Sequence, residues 1–374
     1  MWSRLITSLR VDLYLVFLLP AMKTAILIRT ICFTVACLLT GSESCADVGT
    51  RRADWSMVTV YPQDTVSGNS LRVFAERVAI ETRGYVGPHL QYRAQRDTEQ
   101  LLLDVQSGRV DVADLFGGDL DVLDPLFELS TLPFLAQSEE DASILECLAE
   151  IEYRRALASA GLHLLVMSPW PPTGLWSRKP ISSIRDLVDL KIRTYDRASA
   201  SVFANVDAQA VSLPMGDVKQ LVRSGSINAV LSSGDGAVGD TLGGMLPNFA
   251  DVRYAFPVSF LVMSEGRFKA LPAEAQQQLT SASHAAQRAQ WQVLPQRMES
   301  NYVRMRENGV SVQRPTTMDL HAALEREGRA RAAEWSGRVR PAVRAVLAAY
   351  RNRAAAVGNE CRWSLGEAFD GGLG

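Results

Sequence analysis

Twice in this chain a run with helical spacing stops at a Ser-Gly pair and gives way at once to alternating apolar residues. The first is Gln100-Leu101-Leu102-Leu103-Asp104-Val105-Gln106-Ser107-Gly108-Arg109-Val110-Asp111-Val112-Ala113, and the second is Lys219-Gln220-Leu221-Val222-Arg223-Ser224-Gly225-Ser226-Ile227-Asn228-Ala229-Val230. Glycine suits the left-handed turn that ends a helix, and alternation suits the strand that follows. The recurrence predicts an α/β chain with two similar lobes, against the plainer reading that helix, glycine and strand recur in any α/β protein. At 374 residues and 47% hydrophobic content, the chain is long enough for a sizeable core and two domains.

The first 46 residues differ from the rest. Apolar runs at 13–19 and 31–39 are punctuated by Arg10, Asp12, Lys23 and Arg29. From Met22 onward the pattern is that of a secretory signal peptide, with a basic flank at Lys23 and Arg29, an apolar stretch at 31–39 and a small-residue cleavage site at Ser44-Cys45-Ala46. A start at Met22 and a mature chain from Asp47 are expected, which places the protein in the periplasm. An uncleaved anchor is the competing reading, disfavoured because the runs are shorter than a spanning helix needs. The leader holds four basic and two acidic residues, so 35 Lys+Arg then face 39 Asp+Glu, a balance with no electrostatic case for nucleic acid. Cys32, Cys37 and Cys45 lie in the leader, leaving Cys147 and Cys361 either to form a disulfide or to stand as two unrelated buried thiols.

Along the mature chain, 55–60 and 162–167 are predicted strands, and 71–82 and 138–159 predicted helices. Thr98 is the expected cap of the helix that ends at Gly108. Pro169-Trp170-Pro171-Pro172-Thr173-Gly174 can be neither helix nor central strand, which makes it a candidate hinge and cleft wall. The strand ending in Lys191-Ile192-Arg193 and the one ending in Ser232-Ser233 deliver polar side chains at their carboxyl ends, where open α/β sheets bind ligands. Residues 258–264 form another apolar strand that returns to the first lobe. From Leu271 the pattern is helical for a long way, with Pro295 a kink or restart and a break at Pro341. The arginines between 326 and 353 are interleaved with Glu325, Glu327 and Glu334, as on a solvated helix face.

Catalysis finds little support. His89, His163, His284 and His321 have neither metal-ligand nor triad-like spacing, and phosphate loops, nucleophile elbows and Cys-x-x-Cys are missing. No cofactor is implied. Asp111, Asp114, Asp119, Asp121 and Asp124 form an acidic run, but the glycine and glutamate of a calcium loop are lacking, so loop carboxylates facing water are expected rather than a metal site. Arg193 differs from these. A guanidinium fork at a strand end suits bidentate recognition of a carboxylate, and a salt bridge to Asp196 is its structural alternative.

Taken in order, several stretches resemble the solute-binding proteins of tripartite ATP-independent periplasmic (TRAP) transporters, the family that includes four-carbon dicarboxylate binders. They are Ser107-Gly108-Arg109-Val110-Asp111, Asp124-Pro125-Leu126-Phe127, Leu132-Pro133-Phe134-Leu135, the Pro-Trp-Pro-Pro turn, Leu190-Lys191-Ile192-Arg193, Leu213-Pro214-Met215, residues 224–233 and Ala270-Leu271-Pro272. The resemblance covers residues 55–291. It implies a two-lobed α/β periplasmic binding protein with a hinge and a long helix spanning both lobes. Lobe I would comprise 47–172 and about 256–290, and lobe II 173–255, with 291–374 as C-terminal helices packing across them. It further implies an organic-acid ligand held by Arg193, with Trp170, Thr173, Asp196, Met215, Ser232 and Ser233 around it, and delivery to integral membrane permease subunits. A ligand-sensing component or an ABC-type binding protein are the alternatives. Asp196 stands where similar sequences often carry asparagine, and Thr173 where some carry a second arginine. Asp196 would therefore either pair with Arg193 or meet a hydroxyl or amino group on the ligand, and a single-carboxylate ligand is as well supported as a dicarboxylate.

Overall fold

The apolar run 162–177 is interrupted only by the proline-rich turn, and that interruption divides the molecule. The computed structural model describes residues 53–352, part of one compact unit. Its strands are β1 (Ala53–Val58), β2 (Val86–Gln91), β3 (Val112–Phe116), β4 (Leu162–Pro169), β5 (Gly174–Ser177), β6 (Lys191–Thr194), β7 (Gln209–Ser212), β8 (Ala229–Ser232), β9 (Asn248–Ala250), β10 (Val258–Ser264) and β11 (Ser311–Gln313). Its helices are α1 (Val66–Glu81), α2 (Thr98–Gln106), α3 (Glu139–Ser159), α4 (Arg197–Ala204), α5 (Met215–Ser224), α6 (Ala237–Gly243), α7 (Glu265–Ala270), α8 (Ala273–Glu307), α9 (Met318–Arg338) and α10 (Pro341–Arg351).

One sheet has the order β2-β1-β3-β10-β4 and the other β11-β9-β5-β8-β6-β7. The chain leaves the first sheet at Pro169 and enters the second at Gly174, then returns between Ala250 and Val258. The two crossings run side by side: the Trp170 amide donates to the Pro257 carbonyl (2.8 Å), the Thr173 amide to that of Ala255 (2.9 Å), and the Tyr254 amide to that of Thr173 (2.9 Å). The prolines place few amides in the crossing, and those that remain are paired across it. β10 then lies antiparallel between β3 and β4, with Val258 to Met263 all buried.

The repeated helix-glycine-strand units become α2 with β3 and α5 with β8, one in each sheet. Gly225 ends α5 at φ +75°, the left-handed conformation that its position requires. The cap of α2 is Asp97 rather than Thr98. The Asp97 carboxylate accepts from the Gln100 amide, and the Gln100 side chain answers to the Asp97 amide, a capping box that the shorter, β-branched Thr98 one residue on does not form.

The long C-terminal helix is α8, whose 35 residues span roughly 50 Å. It continues through Pro295 without a restart. It packs on α1 and β4 of the first sheet region and on α6 and β11 of the second. β11 is a strand within a stretch that reads as wholly helical, added parallel to the edge strand β9. The arginines beyond it are partly internal: Arg331 and Arg338 both pair with the buried carboxylate of Glu128 (2.5 and 2.8 Å). Cys147 is disulfide-bonded, while Cys361 and the leader lie outside the described residues.

Candidate functional site

β6 is short because Arg193 and Thr194 lead directly into the cap of the next helix, so the guanidinium stands at the strand's carboxyl end. Arg193 is 4% exposed. Its Nε donates to the Leu213 carbonyl (2.7 Å) and its Nη1 to the Leu231 carbonyl (3.4 Å), which fixes the fork against the ends of the neighbouring strands. Among the described residues Arg193 forms no ion pair, and its Nη2 has no acceptor. Burial pushes the guanidinium down to about 10, and the neighbouring Tyr61 and Asp119 oppose that shift. It stays charged at neutral pH.

Arg193 faces a cavity of about 50 Å³, room for a few waters, and both sheet regions contribute to its walls. Tyr61 and Phe116 come from loops and strand ends of the first sheet, and Trp170 and Thr173 from the crossing. Tyr195, Met215, Ser232 and Ser233 come from the second. The aromatic rings brace one another: Tyr61 and Trp170 are 5.0 Å apart at 58°, and Phe116 and Tyr195 5.6 Å apart at 72°. Trp170 Nε1 donates to Ser259 Oγ (2.9 Å), which holds the indole against the wall. Thr173 Oγ1 lies 3.4 Å from the Tyr195 hydroxyl. The cavity adjoins a groove of about 870 Å³ that shares Tyr61, Phe116, Arg193, Tyr195 and Met215 with it. A buried, fixed cation in a box of aromatic faces and hydroxyls suits a small organic anion with one carboxylate on Arg193 and an apolar body.

Six of the seven residues expected around the ligand, Arg193, Trp170, Thr173, Met215, Ser232 and Ser233, thus come together at one cavity. Asp196 does not line it. Its Oδ1 accepts from the Ser199 amide (2.7 Å) and hydroxyl (2.5 Å), capping α4, and it makes no ion pair with Arg193. Burial raises its carboxyl to about 6. The Asp-x-x-Ser spacing is a local signal for this cap. Tyr61, Phe116 and Tyr195 were missed because nothing local marks them; their roles arise from the meeting of segments far apart in sequence.

The acidic run disperses rather than converging. Asp111 accepts from the Ser56 amide (2.8 Å) and pairs with Arg267, and Asp124 accepts from the Leu126 amide (2.9 Å). Asp114 is 1% exposed, and burial pushes its carboxyl up to about 7. Water-facing loop carboxylates is therefore the wrong description for Asp111, just before β3, and for Asp114 within it, both of which are buried. Asp119 stands in the groove beside Arg193. Among the described residues no three His, Cys, Asp or Glu side chains converge as a metal site would require.

Two sheets joined by paired crossings, a helix packed on both, and a cationic cavity between them define a two-lobed solute-binding protein. The chain belongs to the bacterial extracellular solute-binding proteins of family 7, which match it over residues 57–330. It is 27% identical over 205 residues to a solute-binding protein of Chromohalobacter salexigens, a match spanning 53% of this chain and 60% of that relative. Among solved structures it is similar to two extracytoplasmic solute receptors of Bordetella pertussis that bind pyroglutamic acid. DctP7 is 26% identical with a TM-score of 0.76, covering 80% of this chain and 99% of that one. DctP6 is 25% identical with a TM-score of 0.75, covering 80% and 100%. The resemblance to TRAP solute-binding proteins drawn from the sequence is thereby borne out.

Proposed function

We propose that this protein captures a small organic acid in the cleft between its lobes, holds the carboxylate on Arg193, and delivers it to the membrane subunits of a TRAP transporter from the periplasm. The observation that carries this reading is a buried guanidinium without a carboxylate partner, aligned by two backbone carbonyls beside an aromatic cavity. An unpaired buried charge is costly, and an anionic ligand relieves that cost. The pyroglutamate bound by the two Bordetella receptors, a monocarboxylate on a small ring, fits a cavity with one arginine and aromatic walls, and it is the ligand we infer for this chain.

In this reading lobe I runs to 172 and takes in about 256–290, lobe II is 173–255, and they close about the paired crossings at 170–173 and 251–257. A ligand touching Tyr61 and Phe116 on one side and Arg193 and Ser232 on the other stabilises the closed arrangement by its differential affinity. Arg193→Ala should weaken pyroglutamate binding well over tenfold in titration calorimetry while the melting temperature of the free protein stays within a few degrees. Unchanged affinity would remove the arginine from the site.

A further inference from the structure

One member of the acidic run stands on the groove that adjoins the anion site. After β3 the chain turns through a short 3₁₀ segment, Gly117–Val122, and Asp119 on it projects into the groove that Arg193 also lines. The Thr98 hydroxyl donates to Asp119 Oδ2 (2.6 Å) and fixes the carboxylate, while Oδ1 has no partner among the described residues. Asp119 is exposed, on the wall of that groove. Arg96, at the same rim, is already paired with Asp104 (2.7 Å). Arg193 is the cation that acts most on Asp119, and Asp119 acts on Arg193 more than Asp196 does, although the two are too far apart to form an ion pair. One carboxylate therefore faces the anion site across open space.

We propose that Asp119 is a specificity-determining residue of this site, admitting monoanionic acids that carry a hydrogen-bond donor and rejecting dianions. The inference rests on the carboxylate reading of Arg193. With the ligand's carboxylate on Arg193, a ring N–H or hydroxyl directed along the groove donates to the free Oδ1 of Asp119. A second carboxylate there would face a like charge across the groove, which disfavours it.

The test is calorimetry on the full mature chain, using L-pyroglutamate, cyclopentanecarboxylate as an acid without a donor, and glutarate as a dianion. Wild type, Asp119→Asn, Asp119→Ala and Arg193→Ala are compared. Wild type should bind pyroglutamate most tightly. Asp119→Asn should strengthen glutarate binding at least tenfold and change cyclopentanecarboxylate by less than threefold, and Asp119→Ala should weaken pyroglutamate about tenfold. A glutarate-to-pyroglutamate ratio that both Asp119 variants leave within twofold of wild type overturns the Asp119 assignment alone, provided Arg193→Ala still weakens binding well over tenfold. Binding of all three acids that is absent, or indifferent to Arg193→Ala, removes the carboxylate reading and this inference with it.

Discussion

Arg193 and Asp114 are both charged residue types buried on strands, and the structure treats them oppositely. Arg193 keeps its charge because two backbone carbonyls accept from it at the edge of a cavity. Asp114 accepts from the Thr59 hydroxyl at 3.3 Å, but burial outweighs the help that the Ser67 and Thr59 side chains give its charged form and favours the neutral one. Glu146 is similar, buried beside Tyr153 and pushed up to about 8. In the unfolded chain both carboxyls ionise near pH 4, so between there and pH 7 to 8 the folded state holds protons that the unfolded state has lost. Stability should therefore fall as pH rises through that window, by roughly 1.4 kcal/mol per pH unit for each carboxyl while its folded form stays protonated. Urea unfolding at pH 5, 6, 7 and 8 should show this slope, and Asp114→Asn with Glu146→Gln should flatten it. A slope that the double variant leaves intact would place its source elsewhere. At this scale the sequence was informative where chemistry is rare, as with one arginine after two apolar residues. It failed where a residue's role depends on what packs against it: Asp114, expected to face water, is buried, and nothing in the sequence marks Tyr61.

Helices and strands were legible wherever the pattern is local. Apolar runs mark β4 and β10, and the two Ser-Gly stops mark the ends of α2 and α5. The misread positions are two helix caps. Asp97 displaces Thr98, and Asp196, expected beside the ligand, instead holds the first turn of α4. That distinction can be tested on one helix. Asp196→Ala should destabilise by about 1 kcal/mol through loss of the cap, with ligand affinity kept within a few-fold. Asp196→Asn retains a good capping side chain and removes a carboxyl that burial holds near 6, so at pH 8 it should be at least as stable as wild type. Chemical unfolding and calorimetry on the same samples read both quantities. A large loss of affinity in Asp196→Asn without loss of stability would return the residue to the ligand.

Across the whole molecule, the crossing strands explain how the lobes stay joined, and α8 explains how they stay registered. The second connection runs through Asp235, which follows β8 in one lobe and is fully buried. Its Oδ2 accepts from the Val66 amide, the first residue of α1 in the other lobe (2.8 Å). Arg297 Nε and Asn301 Nδ2, both on α8, donate to its Oδ1 at 2.8 Å, and Arg297 Nη2 donates to its Oδ2 at 2.8 Å. The exchange is reciprocal, because Asp64 beside α1 accepts from the Ala237 amide that opens α6 (2.7 Å). Gly236 is required between them: it adopts φ +57°, and a Cβ there would lie 2.9 Å from the Asp64 carbonyl. Sequence inspection could not find this network, whose members lie at 64–66, 235–237 and 297–301. With every acceptor position of Asp235 filled, removing one donor leaves a buried carboxylate short of partners. Arg297→Met should therefore cost roughly 3–5 kcal/mol, and Asp235→Asn in the same chain should recover a good part of it. If the two losses simply add in urea unfolding, Asp235 and Arg297 act independently and the lobes are registered by packing along α8 alone.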